Sequence, residues 1–138
     1  MTFSLDPRLA ADTFLVGRLV LCRLLLMNDQ TFPWLILVPE RPEIREIFEL
    51  AEDDRSRLIE EISLVSRVVA GCFHADKINV AALGNVVPQL HVHVLARSRN
   101  DPAWPGPVWG KLSATPYAEA LRQATLQRIR AALGPALR

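Results

Sequence analysis

Two imidazoles stand two residues apart in the stretch Gln89-Leu90-His91-Val92-His93-Val94-Leu95. Imidazole is the side chain best suited to act as nucleophile, base or ligand near neutral pH. Polar and apolar residues alternate from Gln89 to Val94, which is the period of a β-strand with one face buried and one exposed or lining a site. On such a strand Gln89, His91 and His93 share a face, each about 6.6 Å from the next. Leu90, Val92 and Val94 then point into a core. The turn before it, Gly84-Asn85, can bring a backbone N–H and a side-chain amide to an anion held at the histidines.

Three kinds of chemistry fit this pair. The plainest is structural, two half-buried histidines satisfied by their neighbours. A second is a metal site, since two strand histidines can both reach a zinc ion; it needs a third protein ligand. The remaining histidine is His74, and the strand carries no Asp or Glu. The third is nucleophilic catalysis at phosphorus: a neutral imidazole attacks a phosphate ester and forms a covalent intermediate that water or another acceptor cleaves. The second histidine, if charged, holds the non-bridging oxygens.

The rest of the chain must position these groups. Its 138 residues, half of them hydrophobic, suit a single domain with a real core. A formal net charge of +1 with no basic run argues against a general nucleic-acid binder. No apolar run reaches the roughly 20 residues of a membrane span. The first residues lack a basic region followed by an apolar one, so no secretion signal is read. Cys22 and Cys72 are too few for a disulfide framework and lack metal-ligand spacing; they read as buried or half-buried free thiols in a reducing cytosol.

Asp6-Pro7 is a cap and first-turn pair for a short helix through Ala11. Strands are expected at Thr13 to Val16, Leu19 to Met27 and Phe32 to Val38, with Gly17-Arg18 a turn or bulge and Asn28 to Thr31 a hairpin turn. Glu43 to Leu50 suits a short helix. The clearest helix opens at Asp53-Asp54 and runs to about Phe73. Leu58, Ile59, Ile62, Val65, Val69, Cys72 and Phe73 form its apolar stripe, with Arg55, Arg57, Glu60, Glu61 and Arg67 largely on the solvated side. Lys77 to Leu83 is a strand, joined to the histidine strand by a connection too short for a parallel crossover. The segment from Asn100 to Pro116 is too rich in Pro, Gly and Trp for regular structure. Thr115-Pro116 caps a last helix, Tyr117 to Leu133, with Leu121, Thr125, Ile129 and Leu133 on one face. The expectation is an α+β domain: an antiparallel sheet of about five strands with the long helix packed on one face, plus a C-terminal helix.

The run from Asn85 to Leu95 resembles the motif of the histidine-triad (HIT) family, in which three histidines alternate with hydrophobic residues. The hairpin with Asn28 and Trp34 to Pro39, the long helix, the strand at Ile78-Asn79-Val80, and the tail from Arg97 through Trp104-Pro105-Gly106 follow the family's order. The resemblance extends over most of the chain, and residues 1–138 are expected to form one HIT-like domain, with a core of about 12–110 and a C-terminal helix at about 116–133. It is that of a bacterial-type member with Gln in the first triad position.

The resemblance implies a helix-covered antiparallel sheet, commonly homodimeric; the free thiols and the N-terminal residues give the expectation of a cytoplasmic protein. Its nucleotide hydrolase or transferase activity acts at an α-phosphate of a small-molecule nucleotide, with no obligatory metal or other cofactor and no nucleic-acid or membrane partner. The middle triad histidine, the nucleophile, falls on His91, and the last, which binds phosphate, on His93. The first position falls on Gln89, whose side chain carries neither proton nor charge; a backbone carbonyl still orients the nucleophile. Asn28 matches a ribose-contacting residue and Asn85 a phosphate-contacting one, and both also suit plain turn chemistry. Val86 stands where some members have a hydroxyl that assists the leaving group. Trp104 either lines the site, closes the dimer or anchors its loop. A binding module with little or no catalysis is the alternative that Gln89 and Val86 motivate.

Overall fold

Short apolar runs broken by polar turns build a sheet, and the one long amphipathic run builds the helix that covers it. A computed structural model describes residues Met1–Arg138. Helix α1 (Pro7–Asp12) leads into strands β1 (Thr13–Arg18), β2 (Cys22–Met27) and β3 (Trp34–Pro39). Then come helix α2 (Glu52–Phe73), strands β4 (Lys77–Ala81) and β5 (Val92–Arg97), and helix α3 (Glu119–Leu133). The five strands form one sheet in the order β1-β2-β3-β5-β4, antiparallel throughout. This is the expected α+β architecture, and β4 and β5 pair as antiparallel neighbours.

Alternation along the central strands sorts side chains into two layers. Leu35, Leu37, Val92, Val94 and Ala96 pack with Leu58, Val65 and Val69 of α2 and Ile129 and Leu133 of α3. On the other face Trp34, Ile36, Val38 and Leu95 pack with Leu9 of α1 and with Ala103 and Val108 of the Pro-rich tail. Every residue of β5 is therefore buried. The alternating pattern is there, but the histidine face is roofed by α1 and the tail instead of lying open.

Several local expectations change for identifiable reasons. β5 starts at Val92, not Gln89, because the N–H of Leu90 donates to the carbonyl of Ile44 and leaves the ladder. β2 starts at Cys22, since the N–H of Leu19 donates to the Cys22 carbonyl and closes a turn. Glu43 to Leu50 yields only a 3-10 turn at Ile47–Glu49. Gly17 does sit at a bulge of β1, where a Cβ would lie 2.6 Å from Cδ1 of Leu137.

Glu61 is the largest revision. It is only 5% exposed, and its carboxylate accepts from the N–H of Leu21 and of Cys22, both at 2.9 Å. A charge in the buried stripe thus holds the β1–β2 turn, while Ile59 is 58% exposed. Thr115-Pro116 does not start α3. The N–H groups of Thr115, Tyr117 and Ala118 donate to the side chains of Asp29, Asn28 and Gln30, so this segment runs along the hairpin turn. α3 begins at Glu119, and Leu121 is exposed. Both cysteines are free, Cys22 buried and Cys72 half-buried. Burial, with Glu61 beside it, pushes the Cys22 thiol well above its usual range.

Candidate active site

His93 lies in the middle of the sheet, opposite Ile36 of β3 and Ala81 of β4. The indole N–H of Trp34 donates to Nδ1 of His93 at 2.9 Å. Since Nδ1 accepts, the ring proton of the neutral form sits on Nε2. Burial, helped by the neighbouring His91, lowers the His93 pKa to about 4. His93 is thus a neutral donor, not the charged group the sequence allows for.

His91 precedes β5. Its Nδ1 is 2.6 Å from the carbonyl oxygen of Gln89. A carbonyl only accepts, so Nδ1 carries the proton and donates it. Nε2 is left with its lone pair. The two rings stand 4.9 Å apart, steeply inclined to each other. One ring presents a bare Nε2, the other an Nε2–H, and both orientations are held from behind.

The pair opens into a cavity of about 330 Å³. Leu9, Met27, Ile36, Val87 and Trp109 supply apolar wall; Arg8, Asp12 and Asn85 supply polar groups. A second cavity of about 600 Å³ meets the first at His91 and is lined by Arg45 and Arg55 among others. Apolar surface with a few convergent polar groups is the usual make-up of a small-molecule site.

The other residues singled out from sequence fall in different places. Asn85 lines the histidine cavity, as does Val86. Asn28 does not: its Oδ1 accepts from the N–H of Tyr117. The side chain of Gln89 bonds to the N-terminal segment and to neither histidine. Its Oε1 accepts from the N–H of Asp6 and its Nε2 donates to the carbonyl of Ser4, both at 2.9 Å. Trp104 is not in the cavity wall; its ring lies 5.7 Å from the guanidinium carbon of Arg97. His74 caps the C-terminus of α2. No three His, Cys, Asp or Glu side chains are gathered in a way that could hold a metal ion.

The sequence gives Trp109 no role in the site, yet its ring packs edge-on against His93 at 5.3 Å and Trp34 at 6.1 Å. Its indole N–H is buried without a partner. Trp109 is brought there by the tail, and the tail is held by Arg97. That side chain is 2% exposed. It donates to both carboxylate oxygens of Asp101, to Oδ1 of Asn79 and to the carbonyl of Gly106. A basic residue ending a buried strand, with an acid four positions on, was the available signal.

Known proteins place this arrangement. The HIT domain matches residues 8–100, well over half of the chain. A histidine-triad protein from Sinorhizobium meliloti is 49% identical, with a TM-score of 0.93 over 96% of this chain and 98% of its own. One from Bradyrhizobium japonicum is 42% identical, with a TM-score of 0.95 over 97% and 100%. One from Marinobacter aquaeolei is 50% identical, with a TM-score of 0.91 over 99% and 97%. No curated protein matches. Membership of this family supports nucleotide-binding or nucleotide hydrolase or transferase activity in general, and no helix is long and apolar enough to cross a membrane. With the fold, the ordered histidine pair and these matches in agreement, the chain belongs to the histidine-triad (HIT) family.

Proposed function

We propose that this protein is a nucleotide hydrolase or nucleotidyl transferase. It acts at the α-phosphate of a nucleoside phosphoramidate or dinucleoside polyphosphate, through a covalent nucleotidyl-His91 intermediate. The observation that carries this reading is the hydrogen bond from Nδ1 of His91 to the Gln89 carbonyl at 2.6 Å. It leaves Nε2 as the free lone pair and stabilises the positive ring that forms when Nε2 is phosphorylated. The lone pair attacks the α-phosphorus, and the bond to the leaving group breaks with its electron pair. Water, or another hydroxyl acceptor, then attacks the same phosphorus and releases its proton to solvent. The P–N bond breaks and neutral His91 returns. The Nε2–H of His93 donates to a non-bridging oxygen in both steps.

Neither Gln89 nor Val86 can protonate a departing group. An amine leaves poorly without a proton, whereas a phosphate leaves as a stable anion. The site therefore suits anhydrides better than phosphoramidates, and Arg45 and Arg55 in the adjoining cavity suit an anionic departing fragment. Asn85 in the cavity wall is assigned to phosphate. Trp109 takes the lining role considered for Trp104, and Asn28 acts by holding the segment at Tyr117 that leads into α3. The assembly is a homodimer, for which the outer edge of β4 and exposed Val80 and Leu83 offer a surface. The same two departures, Gln89 and Val86, favour the second reading, a nucleotide-binding module that turns over slowly.

A rapid-quench experiment decides between them. Native protein and His91→Ala are mixed, with chelator present, with labelled adenosine and guanosine phosphoramidates and dinucleoside polyphosphates. A trapped nucleotidyl-protein adduct in the native sample alone is the expected result. Normal hydrolysis by His91→Ala overturns the mechanism. Binding with neither adduct nor product across the panel selects the binding module.

A further inference from the structure

The N-terminal segment is tied to the triad position that has lost its histidine. Gln89 uses both ends of its amide on that segment, accepting from the N–H of Asp6 and donating to the carbonyl of Ser4. Asp6 is also the cap of α1, its carboxylate accepting from the N–H of Arg8. Leu9 of α1 is buried in the layer that contains Trp34 and Ile36. The helix thus lies across the histidine cavity, which Arg8, Leu9 and Asp12 all line.

A bound α-phosphate is anionic, and the two histidines are arranged so that neither offers a cation at the moment of attack. Nδ1 of His93 accepts from Trp34, which an imidazolium cannot do, and Nε2 of His91 must be bare. Arg8 is the only Lys or Arg among the residues that line this cavity. It forms no ion pair with Asp12 one turn away or with any other carboxylate. Its charge is uncommitted. Asp12, an acceptor on the same helix face that also lines the cavity, suits sugar hydroxyls and repels phosphate.

We propose that Gln89 is a positioning residue that fastens α1 across the cavity so that Arg8 contacts the α-phosphate of the bound nucleotide. This rests on the nucleotide reading given above. The residue at the first triad position then acts through α1, which forms part of the wall of the pocket.

Isothermal titration with the four nucleoside 5′-monophosphates and the matching nucleosides tests it. The native protein is expected to bind at least one monophosphate more tightly than its nucleoside. Arg8→Ala weakens that monophosphate tenfold or more and the nucleoside less than twofold, and Arg8→Lys recovers part of the loss. Gln89→Ala produces a similar loss with faster hydrogen exchange confined to residues 4–12. Gln89→Glu, which keeps the acceptor for Asp6 but not the donor to Ser4, falls between. Arg8→Ala adds little to Gln89→Ala, because both act through one helix. Equal weakening of nucleoside and monophosphate, unchanged monophosphate affinity in Arg8→Ala, or independent additive losses overturn the proposal while leaving the nucleotide reading intact. Failure of the native protein to bind any monophosphate removes both.

Discussion

The indole N–H of Trp34 points at Nδ1 of His93 from the neighbouring strand and closes a 2.9 Å hydrogen bond. That single bond selects the tautomer of the second histidine. It is available because the β3–β5 register puts Ile36 opposite His93 and Trp34 opposite Leu95, so the indole sits diagonal to the imidazole on the same face.

Trp34→Phe keeps the ring and removes the donor. His93 is then free to exchange tautomers. Long-range nitrogen–proton NMR is expected to show a single Nε2–H tautomer in the native protein and a mixture in the variant. The loss of one orienting bond worth about 1–1.5 kcal/mol corresponds to roughly a tenfold drop in kcat/KM. An unchanged tautomer in Trp34→Phe would count against this account.

Stability should depend on pH through His93. Its folded pKa is lowered from 6.5 to about 4 by burial and by His91. Between those values the unfolded chain binds the proton and the folded one does not, so unfolding gains on acidification. The full stability is present above about pH 6.5 and falls as the pH drops toward 4. The change is on the order of 3 kcal/mol. Urea titrations across this range, with His93→Gln as the control lacking the dependence, measure it.

Asp101 is the sole carboxylate facing the buried Arg97 guanidinium. Asp101→Ala leaves that charge uncompensated and is expected to cost about 3–5 kcal/mol. The ion pair also holds the Asp101 carboxyl below its usual range. Its contribution is therefore present above the ordinary carboxyl pKa and lost as the pH falls through the lower folded value. Chemical denaturation of Asp101→Ala is the check, together with the fluorescence of Trp109, which the same loop delivers to the site.

Glu61→Gln replaces a carboxylate that accepts two backbone N–H groups with an amide that can face only one of them correctly. The other N–H meets a donor, and a loss of about 2–3 kcal/mol is expected. The signal is specific: increased hydrogen exchange at Leu21 and Cys22, with β4 unaffected.

Trp109→Phe removes the buried N–H that has no partner and keeps an aromatic wall against His93. The variant should be as stable as the native protein or slightly more so, because an unsatisfied buried donor is costly. Trp109→Ala, which empties the wall, should weaken nucleotide binding instead. Thermal melts and titrations of the two variants separate the roles.

The reading of the site from sequence rests on local periodicity. Alternation from Gln89 to Val94 predicts that His91 and His93 face the same way, because successive side chains of an extended chain point in opposite directions; the two rings do meet, although only His93 lies within β5 and His91 just precedes it. The five strands, the long helix and the antiparallel β4–β5 pair were legible for the same reason: short apolar runs, turn residues and loop lengths are properties of neighbours in the chain. What each side chain meets was not. Glu61 looks solvated by helical pattern, yet the β1–β2 turn supplies two N–H groups some forty positions away. Gln89 looks like a lost catalytic group, yet the chain returns Ser4 and Asp6 to both ends of its amide. Trp104 and Trp109 are alike in sequence, five residues apart in one Pro-rich tail, and only the Arg97–Asp101 anchor decides which of them reaches the histidines. Spacing along the chain sets the direction a side chain takes from its own backbone; its partner is set by where the rest of the chain folds back, and that is a long-range property no short window contains.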